Sequence, residues 1–420
     1  MTSRYDGGQG VTGADELERL LSPVVRGLPV PTSLSPLPFD LNAGVPDVST
    51  LPTHELAEAV ARALRHDPVG ALTYGGSLGY EPLRAWLAEQ QARESGVSLT
   101  AAHVALTSGS AHAIDNIAAT FLGPGDVVVT PAPTYPGAIR AFRARGARIA
   151  PVPQDDDGID ISVLAEALER LRDRGSAAKL IYLVANYDNP SGSTLPPTRR
   201  EAIVRLAREY RALIVEDDAY AGIDLDGPPP PPLFAAAEGH GILRVGTFSK
   251  TIATGLRVGW ITADPLLIEP LAFMRFDNGS SSLVQRTVHE YLDFGNYESH
   301  VETLRMLYRA RRDASAYALK ELCEDYLSFR IPGGGFFHWL RLAEGLTSDA
   351  VVEAAARQGV AVTAGTGYYP QSRVAEDGLV TPLTERGERH IRLVYSALPP
   401  EQLDEAIQRF TVALAEVAGR

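Results

Sequence analysis

Lys250 is the residue whose side chain could do covalent chemistry, because a primary amine that loses its proton attacks carbonyl carbons to form a Schiff base. It follows an apolar run and small hydroxyl residues in VGTFSKTIATGLRVGW, with Arg257 seven positions later. Of the 39 basic residues, only Lys179, Lys250 and Lys320 are lysines, and arginine stays charged. Lys179 begins a strand-like run and Lys320 lies on a long helical segment, so only Lys250 has the strand-end, hydroxyl-rich setting that suits an anionic ligand.

Asp217 ends the apolar run in LIVEDDAY, so its carboxylate should emerge at the carboxyl end of a buried strand, where open α/β sheets bind ligands. A pyridine ring, as in pyridoxal 5′-phosphate (PLP), accepts electrons when its nitrogen stays protonated, and a carboxylate favours that form. Asp217 could serve this role, with Tyr220 hydrogen-bonded to the phenolic oxygen of the ring. Alternatively, Glu216, Asp217 and Asp218 bind a divalent metal or only form a polar strand end. We expect no metal, because no second carboxylate motif has ligand spacing.

An anion site is indicated by LTSGSAHAIDNIAATFL, which predicts a strand, a turn at Ser108, Gly109 and Ser110, and a helix. The first amides of that helix would point at a phosphate group. The alternative is an ordinary helix N-cap, which Ser110 could provide without any ligand. His112 lies in the first turn, where packing is the more frequent role than catalysis.

Three more residues occupy turns or strand ends in the sequence. Asn189 precedes Pro190 in a fixed turn, and Tyr135 in PAPTYPG could stack on a heteroaromatic ring, although a bare turn and a core tyrosine are the alternatives. Arg392 interrupts an apolar strand in HIRLVYS, where a charge is costly unless a partner such as a substrate carboxylate pairs with it. The glycine-rich YGGSLGY lacks the spacing and the strand–helix context of a dinucleotide loop, so we expect no NAD.

The elements around these residues alternate in type along the chain. Between about residues 65 and 295, short β-branched runs alternate with helical patterns, which predicts an α/β fold with a mainly parallel sheet covered by helices. We predict an N-terminal arm at 1–40, a large domain at 41–295, whose beginning could pack against the other domain, and a smaller α+β domain at 296–420. Within the arm, 1–13 are expected to be disordered, 15–27 to form a short amphipathic helix and 28–40 to be extended.

The composition excludes several classes of partner. A chain of 420 residues that is 45% apolar is long enough for a large and a smaller core. Its net charge of −13 argues against nucleic acids and anionic membranes, so we expect a small-molecule partner. No long apolar stretch and no secretory signal are visible, which predicts a cytoplasmic protein. Cys323 is the only cysteine, which excludes an internal disulfide and favours core packing.

Taken together and in this order, the motifs resemble those of the fold type I PLP-dependent aminotransferases of class I/II, especially the branch of 2-aminoadipate aminotransferases. The resemblance spans about Asp40 to Phe410. It rests on TYGGSLGYEPLRAWL, TSGSAHAID, PGDVVVTPAPTYPGA, NPSG, EDDAY, TFSKTIATGLRVGW and HIRLVYS. It implies a large domain with a sheet of the seven-stranded type and a smaller C-terminal domain.

The resemblance also implies roles for residues around the cofactor ring. Lys250 would form the aldimine with PLP, Asp217 would pair with the pyridine nitrogen, Asn189 and Tyr220 would contact the phenolic oxygen, and Tyr135 would stack on the ring. The freed amine of Lys250 would then act as the general base. Transamination of an α-amino acid would run through quinonoid and ketimine intermediates, and a keto acid would reverse the cycle.

The phosphate and the substrate carboxylate would be bound by other residues. The phosphate ligands implied are Ser110, Ala111, Thr247, Ser249 and Arg257, with Tyr74 reaching in from the partner subunit of a homodimer. The substrate carboxylate would bind to Arg392, with Gly44 and Asn189 beside it.

Two departures from the family pattern leave the reaction type open. Ala111 and Asp188 stand where the branch commonly has glutamine. The same cofactor chemistry also serves elimination, replacement, cyclisation and carbon–carbon bond formation, so a PLP-dependent synthase or lyase is the alternative. A third hypothesis is the aminotransferase-like sensor module of a transcription regulator. That reading requires a basic DNA-binding domain, and the residues before Asp40 show no helix-turn-helix pattern.

Overall fold

The computed structural model of the protein describes residues 18–22, 35–370, 383 and 386–419. The predicted disordered segment 1–13 lies outside these residues. The predicted helix at 15–27 and the extended arm at 28–40 are described only in part, and residues 18–20 are helical.

The strands and helices alternate along most of the described chain. The strands are β1 (Phe39–Asp40), β2 (Val104–Thr107), β3 (Val127–Ala132), β4 (Arg148–Asp155), β5 (Gly158–Ile159), β6 (Ala178–Val184), β7 (Leu213–Asp217), β8 (Ile242–Thr247), β9 (Gly259–Thr262), β10 (Leu327–Ser328), β11 (Phe337–Leu342), β12 (Val360–Ala361), β13 (Thr363–Ala364) and β14 (His390–Val394). The α-helices are α1 (Thr53–His66), α2 (Pro68–Leu72), α3 (Glu81–Ser95), α4 (Ser110–Phe121), α5 (Pro136–Ala144), α6 (Ile161–Asp173), α7 (Pro197–Tyr210), α8 (Leu233–Ala236), α9 (Pro265–Phe273), α10 (Ser282–Asp293), α11 (Tyr297–Cys323), α12 (Ser348–Arg357) and α13 (Pro400–Val417). Four short 3₁₀ helices cover Val48–Thr50, Ala101–His103, Thr254–Leu256 and Gly365–Tyr368.

The large sheet has eight strands in the order β2-β9-β8-β7-β6-β3-β4-β5. The pairs from β8 through β7, β6 and β3 to β4 are parallel, whereas β9 runs antiparallel to both neighbours and the two-residue β5 runs antiparallel to β4. The central strands are buried along almost their whole length, as expected when helices cover both faces of a parallel sheet. The prediction of an α/β fold with a mainly parallel, helix-covered sheet is confirmed.

A second, antiparallel sheet has the order β10-β11-β14-β13. Trp339 on β11 pairs with Arg392 on β14. The segment from Phe39 to Leu41 joins this part of the molecule, because the Val394 amide donates to the Leu41 carbonyl at 2.9 Å. Strand β1 also pairs in parallel with β12 in a separate two-stranded sheet. The domain boundaries at 40 and 295 stay predictions.

Cys323 lies at the end of α11 and is buried, with its sulfur 3.2 Å from the Thr411 hydroxyl. Burial raises the pKa of this thiol. Among the described residues, no helix combines the length and the apolar character needed to cross a bilayer.

A close backbone approach fixes the junction between β9 and the turn before α4. A Cβ atom at Gly259 would lie 2.6 Å from the carbonyl carbon of Gly109 and 2.8 Å from the carbonyl oxygen of Gly246. These neighbours are backbone atoms that cannot rotate away. Glycine at 259 therefore allows β9 to support the turn that begins α4.

The substitution Gly259→Ala should lower the thermal stability of the protein, since overpacking of a filled site costs about 1–3 kcal/mol. The matched control is Gly255→Ala, four positions away, where an added Cβ meets no atom within 4 Å. Differential scanning fluorimetry would compare the two variants. Equal melting temperatures would contradict the assigned role of Gly259.

Candidate active site

A pocket of about 440 Å³ lies where β7 and β8 end and where β11 and β14 of the small sheet approach. Most of the residues predicted from the sequence line it: Gly44, Ser110, Ala111, Tyr135, Asn189, Asp217, Tyr220, Ser249, Lys250, Arg257 and Arg392. Its lining also includes residues that sequence reasoning did not single out: Asn42, Ala43, Val45, Val184, Ala219, Thr254 and Phe337. Thr247 and Tyr74 are not among the lining residues.

Lys250 lies three residues after the end of β8 and points its amine into the pocket. The Nζ atom donates a hydrogen bond to the Gly44 carbonyl at 2.8 Å. Burial lowers the pKa of Lys250 to about 8, and the positive charges of Arg392 and Arg257 act in the same direction. Asp217 opposes this shift. A substantial fraction of the amine is therefore neutral, and nucleophilic, near physiological pH.

Asp217 is the last residue of β7 and is 3% exposed. Its Oδ2 atom accepts a hydrogen bond from the Tyr182 hydroxyl at 2.8 Å. Its Oδ1 atom is buried and has no hydrogen-bond partner among the described residues. Burial raises the pKa of Asp217 to about 7, with the charges of Asp218 and Asp188 adding to the rise and the Tyr182 hydrogen bond opposing it. The carboxylate thus offers one free oxygen to a cationic or N–H group.

The two carboxylates that flank Asp217 bind protein groups instead. Glu216 accepts from the Leu233 and Phe234 amides at 2.8 and 3.0 Å, at the start of α8. Asp218 accepts from the Arg244 guanidinium at 2.5 Å. Among the described residues, no group of three or more histidine, cysteine or acidic side chains is arranged to hold a metal ion.

Arg392 is buried on β14 and reaches the pocket next to Asn189. Its Nη1 donates to Asn189 Oδ1 at 3.0 Å and its Nη2 to the Asn42 carbonyl at 2.6 Å. The guanidinium lies over the rings of Phe337 and Tyr368, at 4.5 and 5.1 Å from the centroids. Its Nε is buried without a hydrogen-bond partner among the described residues. No carboxylate of the described residues accepts a hydrogen bond from this arginine, so a ligand anion can do so.

Two tyrosines supply aromatic surface. Tyr220 is 4% exposed, and its ring meets the rings of Phe336 and Phe337 edge-on at 5.7 and 5.5 Å. Tyr135 is partly buried and precedes α5. A Cβ at Gly137 would lie only 2.4 Å from the Tyr135 ring, so glycine at 137 leaves the space that this ring occupies.

The turn and the helix predicted around Ser110 are present, as the start of α4. The helix begins at Ser110, and its N-cap is Gly109 at φ 84°, with no side chain capping the first amides. Gly109, with its positive φ, occupies the N-cap position, and Ser110 is the first helical residue. The alternative that Ser110 is an ordinary N-cap is therefore wrong. Arg257 Nη2 donates to the Ser108 carbonyl at 2.9 Å, beside this turn. A Cβ at Gly109 would lie 2.6 Å from the same nitrogen.

Hydroxyl and imidazole groups support the predicted anion site. The Thr247 hydroxyl donates to Ser249 Oγ at 2.9 Å, so Thr247 orients a pocket residue without lining the pocket. His112 Nδ1 accepts from the Ser108 amide at 3.0 Å, and burial lowers the pKa of this histidine. His112 thus fixes the turn as a neutral side chain.

The remaining positions that the sequence singled out differ in their surroundings. Tyr74 is 86% exposed. Asp188 is buried, and its Oδ2 accepts from Gln154 and Ser191 at 3.1 and 2.7 Å. Burial raises the pKa of Asp188 to about 6. Ala111 contributes only a methyl group to the lining.

These features fit PLP. An amine of lowered pKa can react with the aldehyde of the cofactor, the unpaired Asp217 Oδ1 can accept the pyridinium N–H, and the uncapped start of α4 with Arg257 can hold a phosphate. Fold and pocket together define an α/β enzyme that binds an anionic aldehyde cofactor at the carboxyl edge of its sheet.

The family is then identified by similarity. The family model for aminotransferase class I and II matches residues 38–410, and the chain belongs to this family. Aromatic-amino-acid aminotransferase 1 of Thermococcus litoralis is 32% identical over 90% of this chain and 88% of its own length. The crystal structure of LysN, the α-aminoadipate aminotransferase of Thermus thermophilus, complexed with N-(5′-phosphopyridoxyl)-L-leucine, superposes with a TM-score of 0.83, 30% identity and coverage of 96% and 97% of the two chains.

The similarity reaches regulators as well. The uncharacterized HTH-type transcriptional regulator YdfD of Bacillus subtilis is 28% identical over 91% of this chain and 75% of its own length. The family model and the aminotransferase relatives confirm three predictions: the PLP fold type I, the PLP cofactor and the assignment as a PLP-dependent aminotransferase. Amino acids and keto acids are its substrates.

The main contact that sequence reasoning missed is Tyr182. Its hydroxyl stands in the apolar run KLIYLVA of β6, and a polar group in such a run was the available signal. Apart from Gly44, which the resemblance implied, the segment from Asn42 to Val45 carried no such signal. Its place beside the pocket depends on long-range contacts, because β1 pairs with β12 and the Val394 amide donates to the Leu41 carbonyl.

The lowered pKa of Lys250 predicts its reactivity in the apoprotein. Modification by an amine-selective reagent should rise with pH through a midpoint of about 8, because only the neutral amine attacks. The substitution Arg392→Gln should move the midpoint upward, since it removes a neighbouring positive charge. Peptide mass spectrometry would follow the modification, and a wild-type midpoint near 10 would contradict the expectation.

Proposed function

We propose that the protein transaminates an α-amino acid with Lys250 as the attachment point of PLP and Asp217 as the partner of its ring nitrogen. The observation that carries this proposal is the buried, unpaired Oδ1 of Asp217 in the pocket that holds the Lys250 amine. When bound, PLP supplies an aldehyde that reacts with amines and a ring that accepts electron density from the substrate.

Lys250 both holds the cofactor and moves a proton. Its pKa of about 8 leaves part of the amine free to attack a carbonyl at neutral pH. Once a substrate amine has displaced it, the neutral Nζ accepts the α-proton of the substrate and returns it to another atom. The Gly44 carbonyl, 2.8 Å from Nζ, gives the released side chain a resting hydrogen bond.

Asp217 keeps the ring nitrogen protonated. A carboxylate in a buried site pairs strongly with a cation, and formation of that pair favours the ionised form of Asp217 itself. Asn189 and Tyr220 would contact the phenolic oxygen, and Tyr135 would stack on the ring. All four side chains line the same pocket, which supports these roles.

The phosphate is held at the start of α4. The first-turn amides at Ser110 and Ala111 have no side-chain cap, and Ser249 and Arg257 line the same pocket. Thr247 contributes through the hydrogen bond that orients Ser249. The positive end of the helix and one guanidinium suit a dianion.

Arg392 binds the α-carboxylate of the substrate. Its Nη2 bond to the Asn42 carbonyl is a bond to a neutral acceptor, which a carboxylate can replace with a stronger, charge-assisted bond. Asn189 holds the other Nη and keeps the guanidinium plane in position. Gly44 lies beside this site and leaves room, because a Cβ there would approach the Phe337 ring to 2.8 Å.

The working form is proposed to be a homodimer in which Tyr74 reaches the phosphate of the partner subunit. Tyr74, Val69 and Leu72 are 86%, 71% and 70% exposed in the single chain, and a second copy would cover them. We also propose a cytoplasmic location, supported by a single buried cysteine in place of the disulfides that oxidising compartments favour.

The reaction type is tested with holoenzyme, an amino-acid panel and no keto acid. Transamination should convert the cofactor to its amine form once per subunit and release one equivalent of keto acid. Absorbance spectroscopy and product chromatography measure both quantities. Continuous turnover without acceptor would instead indicate elimination, replacement or cyclisation. The substitution Lys250→Ala should abolish both the covalent attachment of PLP and the conversion.

The substrate role of Arg392 predicts a selective loss. Arg392→Lys should lower kcat/KM about 10- to 100-fold, because a fork of two charge-assisted hydrogen bonds is lost, while PLP affinity stays nearly unchanged. The control is Arg389→Lys on the same segment, since Arg389 bonds the Leu342 carbonyl away from the pocket. Steady-state kinetics and cofactor titration separate the two effects. An equal loss in both variants would contradict the role.

A further inference from the structure

We propose that Tyr182 is a positioning residue that orients the Asp217 carboxyl group and favours its ionised form. This inference rests on the proposed function of Asp217 as the partner of the pyridine nitrogen. Tyr182 does not line the pocket, so any effect that it has on the cofactor passes through Asp217.

The sheet register brings the two side chains together. Strands β6 and β7 are parallel neighbours in which Val184 pairs with Asp217 and Tyr182 with Val215. Because alternate residues of a strand share a face, Tyr182 lies two positions behind Val184 on the same face. Its hydroxyl then reaches forward and donates to Asp217 Oδ2 at 2.8 Å.

The tyrosine is held in place from the other side. Tyr182 is fully buried, and the Phe142 ring packs against its ring with the centroids 5.5 Å apart and the planes at 70°. Movement of the phenol would cost packing on α5 as well as its hydrogen bond. With Oδ2 fixed in this way, rotation of the carboxyl group is restricted, and Oδ1 remains the oxygen available to a ligand.

The charge balance gives the hydroxyl a second effect. Burial and the nearby carboxylates of Asp218 and Asp188 favour the neutral form of Asp217. The Lys250 amine lies in the same pocket and interacts with this charge. The Tyr182 hydroxyl donates to the carboxylate and so opposes protonation. Without it, a smaller fraction of Asp217 would be ionised near pH 7.

The chain offers a matched control for this contact. Tyr187 is also buried and donates to an aspartate, Asp224, at 3.0 Å. Neither residue lines the pocket. Tyr187→Phe therefore removes the same kind of tyrosine–aspartate bond without touching Asp217.

The experiment compares wild type, Tyr182→Phe and Tyr187→Phe by equilibrium titration of the apoproteins with PLP at pH 7 and pH 9. Tyr182→Phe should weaken PLP binding about tenfold at pH 7. The difference from wild type should narrow at pH 9, where Asp217 is ionised in both proteins. Tyr187→Phe should bind PLP with the wild-type affinity at both pH values. Melting temperatures of the apoproteins report any general destabilisation separately.

A double-substitution cycle tests whether the effect passes through Asp217. In an Asp217→Asn background, which cannot ionise, Tyr182→Phe should change PLP affinity by less than about twofold. If Tyr182→Phe does not fold, site-specific replacement of Tyr182 by 3-fluorotyrosine provides the second test. Its more acidic hydroxyl is a stronger donor, so PLP affinity at pH 7 should rise.

The failures can be told apart. Wild-type protein that does not bind PLP would overturn the proposed function. Wild-type binding with an unchanged Tyr182→Phe profile, an equal loss in Tyr187→Phe, or an undiminished effect in the Asp217→Asn background would overturn only the role of Tyr182.

Discussion

Burial of ionisable groups without their counterions is the constraint on which this pocket depends. Desolvation raises the pKa of Asp217 to about 7 and lowers that of Lys250 to about 8, so each group is pushed toward its neutral form. A bound cofactor with a cationic ring and an anionic phosphate supplies the missing charges. In the proposed complex, the ring nitrogen would pair with Asp217, and the phosphate would bind to Arg257 and the start of α4. The protein alone is thus electrostatically incomplete, and PLP completes it.

The same constraint explains why only one of three consecutive acidic residues faces the pocket. Glu216 is bound by the amides at the start of α8, and Asp218 is bound by Arg244, which is 1% exposed and also bonds Glu94 at 2.8 Å. A strand alternates its side chains between faces, so Asp217 points away from both neighbours. Glu216 and Asp218 thus have hydrogen-bond donors within the protein. Asp217 keeps one oxygen, Oδ1, without a partner among the described residues.

Local patterns predicted the parts of the site that depend on strand ends. Lys250 could be selected because it is one of three lysines and follows β8, and Asp217 because it ends an apolar run. The Ser110 N-cap alternative failed because the choice between Gly109 and Ser110 depends on a left-handed backbone angle, φ 84°, that the residue types do not specify uniquely. Tyr182 was missed because its partner lies on another strand, and its role depends on sheet register.

The segment from Asn42 to Val45 provides backbone carbonyls that accept hydrogen bonds from two cationic side chains of the pocket, Arg392 and Lys250. Its Asn42 carbonyl accepts from Arg392, and its Gly44 carbonyl accepts from Lys250. A carbonyl satisfies a buried donor without neutralising its charge. Arg392 is therefore hydrogen-bonded yet keeps its affinity for anions, and Lys250 is hydrogen-bonded yet keeps its lowered pKa. A carboxylate in either place would form a closed ion pair and raise the pKa of Lys250. Neutral backbone acceptors therefore leave the amine reactive and the guanidinium available to a substrate carboxylate.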